Sequence, residues 1–281
     1  MFARIQSGWA LAKQSLAVLK ADKELLLFPL ISGISLVVVS ASFLVPLFVS
    51  DPFRQYLQTE TSSRDILVCA MLFLFYFINY FVIMFFNAGL IGCAMIRFRG
   101  GNPTLGDGFR TAMERLLHIF CWALVSATVG MLLKVIESSS EKVGQIVTAL
   151  LGMTWSVTTY FVLPVLVVEK IGPVTAFKRS TSILKNTWGE ALSANIGIAI
   201  IVFFMGLFAL LPAGLGIIIG TSASVLTGIV VSVVCLILVS LISSAVRTII
   251  TVALYDFAGN SHIPEQFDQR VLEQAFGPKN R

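Results

Sequence analysis

The sequence predicts an all-α polytopic membrane protein with six transmembrane helices, and three observations carry that prediction. Of 281 residues, 57% are hydrophobic and 12% charged, with a mean hydropathy of +0.89; a soluble domain carries about a quarter charged residues. The apolar runs suit helices, which need about 20 residues to cross a hydrocarbon core of about 30 Å, and far exceed the alternating segments of about ten residues in a β-barrel. Lysine and arginine gather between alternate runs rather than evenly along the chain.

Gaps between charges place the spans at about 25–50, 66–96, 116–136, 145–168, 192–220 and 225–255. The first follows a 24-residue mixed preface and outruns the roughly 7–15 apolar residues of a signal peptide, so it is expected to stay as an anchor. Spans two and six measure about 45 Å at 1.5 Å per residue, so they either tilt or leave the bilayer for a few turns. Pro164 and Pro212 interrupt spans four and five; proline removes a backbone hydrogen bond, and broken helices mark some transport sites as well as ordinary kinks. The "GIIIG" from Gly216 to Gly220 is either a small-residue contact stripe or, with Pro212 and Gly214, a helix end.

Orientation follows from the basic residues. Starting inside, the inner segments hold Arg4, Lys13, Lys20, Lys23, Arg97, Arg99, Arg110, Arg115, Lys170, Lys178, Arg179, Lys185, Arg270, Lys279 and Arg281, against Arg54, Arg64 and Lys142 in the outer loops. The positive-inside rule then puts both termini in the cytoplasm of a bacterial inner membrane. The net charge of +5 reads as topology and attraction to anionic lipid headgroups, not as a nucleic-acid surface.

A duplicated phrase organises the chain. "KQSLAVLK" at Lys13–Lys20 returns as "KRSTSILK" at Lys178–Lys185. On a helix, Ile5, Trp9, Leu16 and Leu19 form one apolar stripe, and Val174, Phe177, Leu184 and Trp188 another, with two lysines bordering each. That predicts helices lying in the interface, with Lys13, Lys20, Lys178, Lys185, Trp9 and Trp188 at the headgroups. Phe109, Met113, Leu116 and Phe120 repeat the spacing after "GGNP", and Phe267, Val271 and Ala275 after "GNSHIP". The expectation is one membrane domain of three parallel hairpin repeats, 1–96, 97–168 and 169–256, each led by an amphipathic helix, with a cytoplasmic amphipathic segment at 257–281.

Among intramembrane polar residues, Arg247 is the most conspicuous: a functional charge within span six, or a headgroup-level residue if that span protrudes. Asp256, on the opposite face, is not its partner. Asn79, Tyr80 and Asn87, with Tyr76, put polar groups into span two, either lining a path or holding helices and subunits together, a homo-oligomer included. Lys134 and His118 sit near the ends of span three, where snorkelling accounts for them. Cys69, Cys93, Cys121 and Cys235 stand alone, so neither metal nor disulfide is expected. No nucleophile has an activating base and no catalytic or cofactor motif occurs, so the chain is expected not to be an enzyme and to need no cofactor.

The segments "GWALAKQSLAVLKADKELLLFPLISG", "LPVLVVEKIGPVTAFKRSTSILKNTWGE" and "ALYDFAGNSHIPEQF" resemble an uncharacterised bacterial family of six-helix membrane proteins, a domain of unknown function. More distantly, the chain resembles the membrane domain of glycerophosphoryl diester phosphodiesterases, whose soluble catalytic part has no counterpart here. The resemblance implies topology and no activity. Two functions are therefore expected: non-enzymatic transport or a pore for an unspecified ion or solute, from the kinks and the polar stripe; or a membrane-organising, lipid-interacting scaffold, from the basic helices.

Overall fold

With no water in the bilayer core, a backbone there has only its own carbonyls to bond, so runs of Leu, Val, Ile and Phe close into helices. The computed structural model describes residues 2–49, 62–138, 143–187, 191–260 and 262–276, and no strand occurs among them. Among the described residues, six apolar helical stretches are long enough to cross a membrane: Lys23–Pro46, Ile66–Phe98, Leu116–Glu137, Gly144–Val168, Ala199–Ile219 and Ser222–Gly259. They fall where the gaps between charges put them. Arg54, Lys142, Trp188, Glu190, Lys279 and Arg281 lie outside the described residues.

The helices are α1 (Phe2–Ala21), α2 (Leu27–Val49), α3 (Ser62–Phe98), α4 (Leu105–Glu114), α5 (Leu116–Ser138), α6 (Val143–Thr158), α7 (Val162–Val168), α8 (Pro173–Thr187), α9 (Ala191–Ala209), α10 (Leu211–Ile219), α11 (Ser222–Asn260) and α12 (Gln269–Phe276). A 3-10 turn, Lys23–Leu26, joins α1 to α2. Helices α3 and α11 have 37 and 39 residues, about 55 Å or more at 1.5 Å each and well beyond the bilayer core.

The chain divides into two compact units: residues 1–29, 93–105 and 182–281, and residues 30–92 and 106–181. In the first, α1 packs along α9, α11 and α12, and α10 folds back on α11. Two glycines allow that close hairpin. A Cβ on Gly216 would stand 2.4 Å from the Ser224 carbonyl oxygen, and one on Gly228 2.4 Å from that of Pro212. Gly220, by contrast, holds a left-handed φ of 78° as the C-cap of α10. The "GIIIG" glycines thus do separate jobs: Gly216 faces Gly228's helix, and Gly220 ends its own.

In the second unit, α5 packs on α6, and rings fill the seams. Trp122 stacks on Trp155 at 5.7 Å, and Trp155 on Phe177 of α8 at 6.0 Å. Phe120 meets Phe77 and Phe81 edge-on, and Phe109 of α4 contacts Phe85 and Phe86. Thr111 lies against Gly92, where a Cβ would meet it at 2.7 Å.

Both breaks in the long spans are stitched by serine. Between α6 and α7 the Phe161 amide donates to the Ser180 hydroxyl at 3.1 Å, and that hydroxyl donates to the Thr158 carbonyl at 2.9 Å. Between α9 and α10 the Ala213 amide donates to Ser232 Oγ at 2.9 Å. Pro164 and Pro212 each stand in the first turn of the following helix, where the missing N–H is not needed. Replacing Ser180 with Ala strands a buried amide, an expected loss of about 1–3 kcal/mol. Thermal unfolding of the purified protein in detergent, with Thr181→Ala as the neighbouring control, measures it.

Candidate functional site

The two copies of the duplicated phrase have the same pattern of burial. Ser15 and Ser180 are both 0% exposed, Val18–Leu19 and Ile183–Leu184 are buried, and Leu11 and Ala176, two positions before each first lysine, are fully buried. Lys13, Lys20, Lys178 and Lys185 are all exposed. Each α-helix therefore seats a serine and an apolar pair in protein and turns its lysines outward.

The expected apolar stripes divide between exposed and buried side chains. Trp9 is 58% exposed and Leu16 also faces outward, while Leu19 is buried; the Ile5 side chain lies outside the described residues. Trp9, Lys13, Leu16 and Lys20 fall within about 60° of one another on the helix wheel, an exposed stripe of alternating apolar and basic character. In α8, Val174 is exposed and Leu184 buried, while Phe177 is held by the tryptophan stack. Met113, Leu116 and Phe120 are exposed too, and α4 buries Gly108 and Ala112 instead. Small residues make the protein-facing side because they let backbones approach. Near the C-terminus Phe267 and Leu272 are buried; the Ala275 side chain lies outside the described residues.

A polar junction in the first unit escaped the sequence reading. Arg97 Nε and Nη2 donate to the two carboxylate oxygens of Asp22, just beyond α1. Arg97 Nη2 also donates to Asn102 Oδ1 at 2.8 Å, and the Arg97 carbonyl accepts from Gln266 Nε2 at 3.1 Å. The Glu24 carboxylate accepts the Leu105 amide at 3.3 Å, and Phe98 meets Phe267 edge-on at 5.5 Å. The chain reaches this geometry because α3 ends in a Schellman motif: the Gly100 amide donates to the Arg97 carbonyl and Gly101 to Ile96, each at 3.0 Å, with Gly100 at φ 77°. One guanidinium thus joins α1, the end of α3 and the loop after it, while its carbonyl holds the C-terminal segment. A fork pairing both carboxylate oxygens is what Arg supplies and Lys does not.

The C-terminal ends of the two other even-numbered spans carry comparable pairs. Glu169 accepts from Arg179 Nε at 3.1 Å, and Asp256 contacts His262 Nδ1 at 2.7 Å. Asp256 is buried, and its carboxylate meets the His262 imidazole.

Arg247 is exposed, between the buried pairs Ala245–Val246 and Ile249–Ile250. The residues of α11 from Ala245 to Asp256 include nine buried ones, whereas the stretch from Leu226 to Leu238 carries nine exposed large apolar side chains. Asn79 Nδ2 donates to its own helix at the Phe75 carbonyl, 2.7 Å away. The Tyr80 ring lies 3.6 Å from where a Cβ on Gly130 would stand, so it packs α3 on α5. Asn87 and Tyr76 are half-buried. Asn79 and Tyr80 therefore bond and pack within the bundle. No group of three or more metal-ligating side chains occurs among the described residues.

No curated protein matches the chain. Residues 66–264, more than two thirds of it, match a family of unknown function, DUF6159, which bears on the first resemblance and not on the phosphodiesterase likeness. With its six apolar spans in place, the chain belongs to the DUF6159 family of unknown function.

Proposed function

We propose that this is a non-enzymatic, multi-pass protein of the bacterial cytoplasmic membrane, with both termini in the cytoplasm, that organises or engages lipid through α1 and α8. The carrying observation is the matched burial of the duplicated phrase, which sends Lys13, Lys20, Lys178 and Lys185 outward from two helices while Ser15 and Ser180 are buried. On α1 the lysines flank exposed Trp9 and Leu16, the combination that enters an interface: apolar side chains among the acyl tails and ammonium groups at the phosphates. The length of α11 past its apolar-exposed stretch supports a protein layer at the cytoplasmic face, with Arg247 at headgroup level.

The test is lipid retention. Detergent-purified protein is titrated with phosphatidylglycerol and, separately, phosphatidylcholine, and bound lipids are counted by native mass spectrometry. A juxtamembrane lysine contributes about 1 kcal/mol toward an anionic surface, so Gln at two lysines of one helix weakens phosphatidylglycerol binding roughly thirtyfold. Changing all four lowers it further and leaves phosphatidylcholine unaffected. Equal retention by the quadruple variant and the parent rules the reading out.

Transport is the second reading, and its support is the pair of interrupted spans at 159–161 and Leu210. Serines from neighbouring helices already occupy the freed amides at both breaks, which favours fixed joints. Solute flux in liposomes that changes on Pro212→Ala would move the balance to transport.

A further inference from the structure

The N-terminal half of α3 and the C-terminal half of α5 enclose a groove of about 300 Å³ in the second unit. Leu72, Met131 and Val135 make its apolar walls, and Cys69 and Tyr76 line it from α3. Lys134 and Glu137 complete the lining, their ammonium and carboxylate 3.0 Å apart and 67% and 41% exposed. The register fixes the depth. Ile66 begins the apolar run of α3 and Glu137 ends that of α5, so Lys134 and Glu137 stand at headgroup level. Met131, six residues before Glu137, lies about 9 Å deeper.

We infer that this groove holds one phospholipid with a primary-amine, zwitterionic headgroup of the phosphatidylethanolamine class. The chemistry of both ends of the groove points there. An acyl chain suits the Leu72, Met131 and Val135 walls, and a headgroup carrying phosphate and ammonium two carbons apart offers each charge its opposite, phosphate to Lys134 and ammonium to Glu137. Glu137 then selects among lipids. A phosphatidylglycerol headgroup brings two neutral hydroxyls but no cation to the carboxylate, and a choline headgroup brings a cation with no N–H to donate. The lining includes none of the lysines of the basic helices, so either proposal can fail alone.

The test uses the full chain in detergent and native mass spectrometry with phosphatidylethanolamine, phosphatidylglycerol and phosphatidylcholine in competition. The parent protein should retain one phosphatidylethanolamine in preference to the other two by about tenfold, the size of one charge-assisted hydrogen bond. Glu137→Gln should abolish that preference, Lys134→Gln should weaken retention of phosphatidylethanolamine, and Leu72→Trp, which fills the groove, should displace it. Both charged side chains are exposed, so an unchanged melting temperature in the Gln variants keeps the comparison free of folding effects. No preference in the parent, or a preference that survives both Glu137→Gln and Leu72→Trp, overturns the inference.

Discussion

Replacing Arg97 with Ala lowers the stability of the folded chain by about 3 kcal/mol, the scale for a buried carboxylate left without its cation. The Asp22 side chain is 7% exposed and that of Arg97 20%, so the two ends of the pair respond unequally. Without Arg97, Asp22 keeps a charge that water scarcely reaches, and Asn102 and the end of α3 lose the guanidinium as well. Without Asp22, Arg97 still reaches solvent and Asn102, so Asp22→Asn is expected to lose less, about 1–2 kcal/mol. Asp22→Asn with Arg97→Ala recovers much of the loss, because removing both charges also removes the desolvation. Chemical or thermal unfolding of the four proteins of the cycle, in one detergent, measures the coupling. A coupling near zero would show that the pair is solvated in the folded protein and does not hold the junction.

The second large effect is at the α10–α11 hairpin. Gly228→Val places a branched side chain where even a Cβ would stand 2.4 Å from the Pro212 carbonyl oxygen. Backbone cannot give way there as a flexible side chain would, and overpacking of this kind costs about 1–3 kcal/mol or opens the hairpin outright. The Ala213 amide and Ser232 hydroxyl would part with it, adding an unsatisfied group. Gly206→Val is the control, because a Cβ there meets nothing within 4 Å. Melting curves should separate the two variants clearly, and equal midpoints would mean that α10 does not rest on α11 as described.

How much of this was legible in the sequence depends on the length scale of the signal. The six spans are written in long apolar runs whose ends are marked by charge, and the helices Ile66–Phe98 and Leu116–Glu137 begin where the sequence places them. Which face of a helix meets protein is written differently. In water the apolar face is the packed face, but lipid tails are as apolar as leucine, so Trp9, Leu16, Met113 and Phe120 signal exposure as readily as burial. The packed faces of α1, α4 and α8 are carried by Leu11, Ala12, Ser15, Gly108, Ala112, Ala176 and Ser180. Small residues recurring at helical spacing would have found most of them.

The polar junction is a different case. Asp22 and Arg97 are 75 residues apart, and each looks in sequence like one more charge at the edge of a span. Only the Gly100–Gly101 turn hints that the chain doubles back there. The duplicated phrase was visible at once, yet its meaning lay in the serine between the lysines. Ser180 satisfies the break before α7, a partnership that no periodicity could announce.

The central claim is that α1 and α8 present their lysines on one face of the membrane, with the chain crossing six times. Cysteine accessibility tests it most directly. On a cysteine-free background, single cysteines replace Lys13, Lys178, Glu137 and Thr221 in turn, and intact cells are treated with a membrane-impermeant thiol reagent. The account predicts labelling at positions 137 and 221 only, with 13 and 178 labelled after the membrane is permeabilised. Labelling of 13 or 178 in intact cells, or opposite behaviour of those two positions, would contradict it.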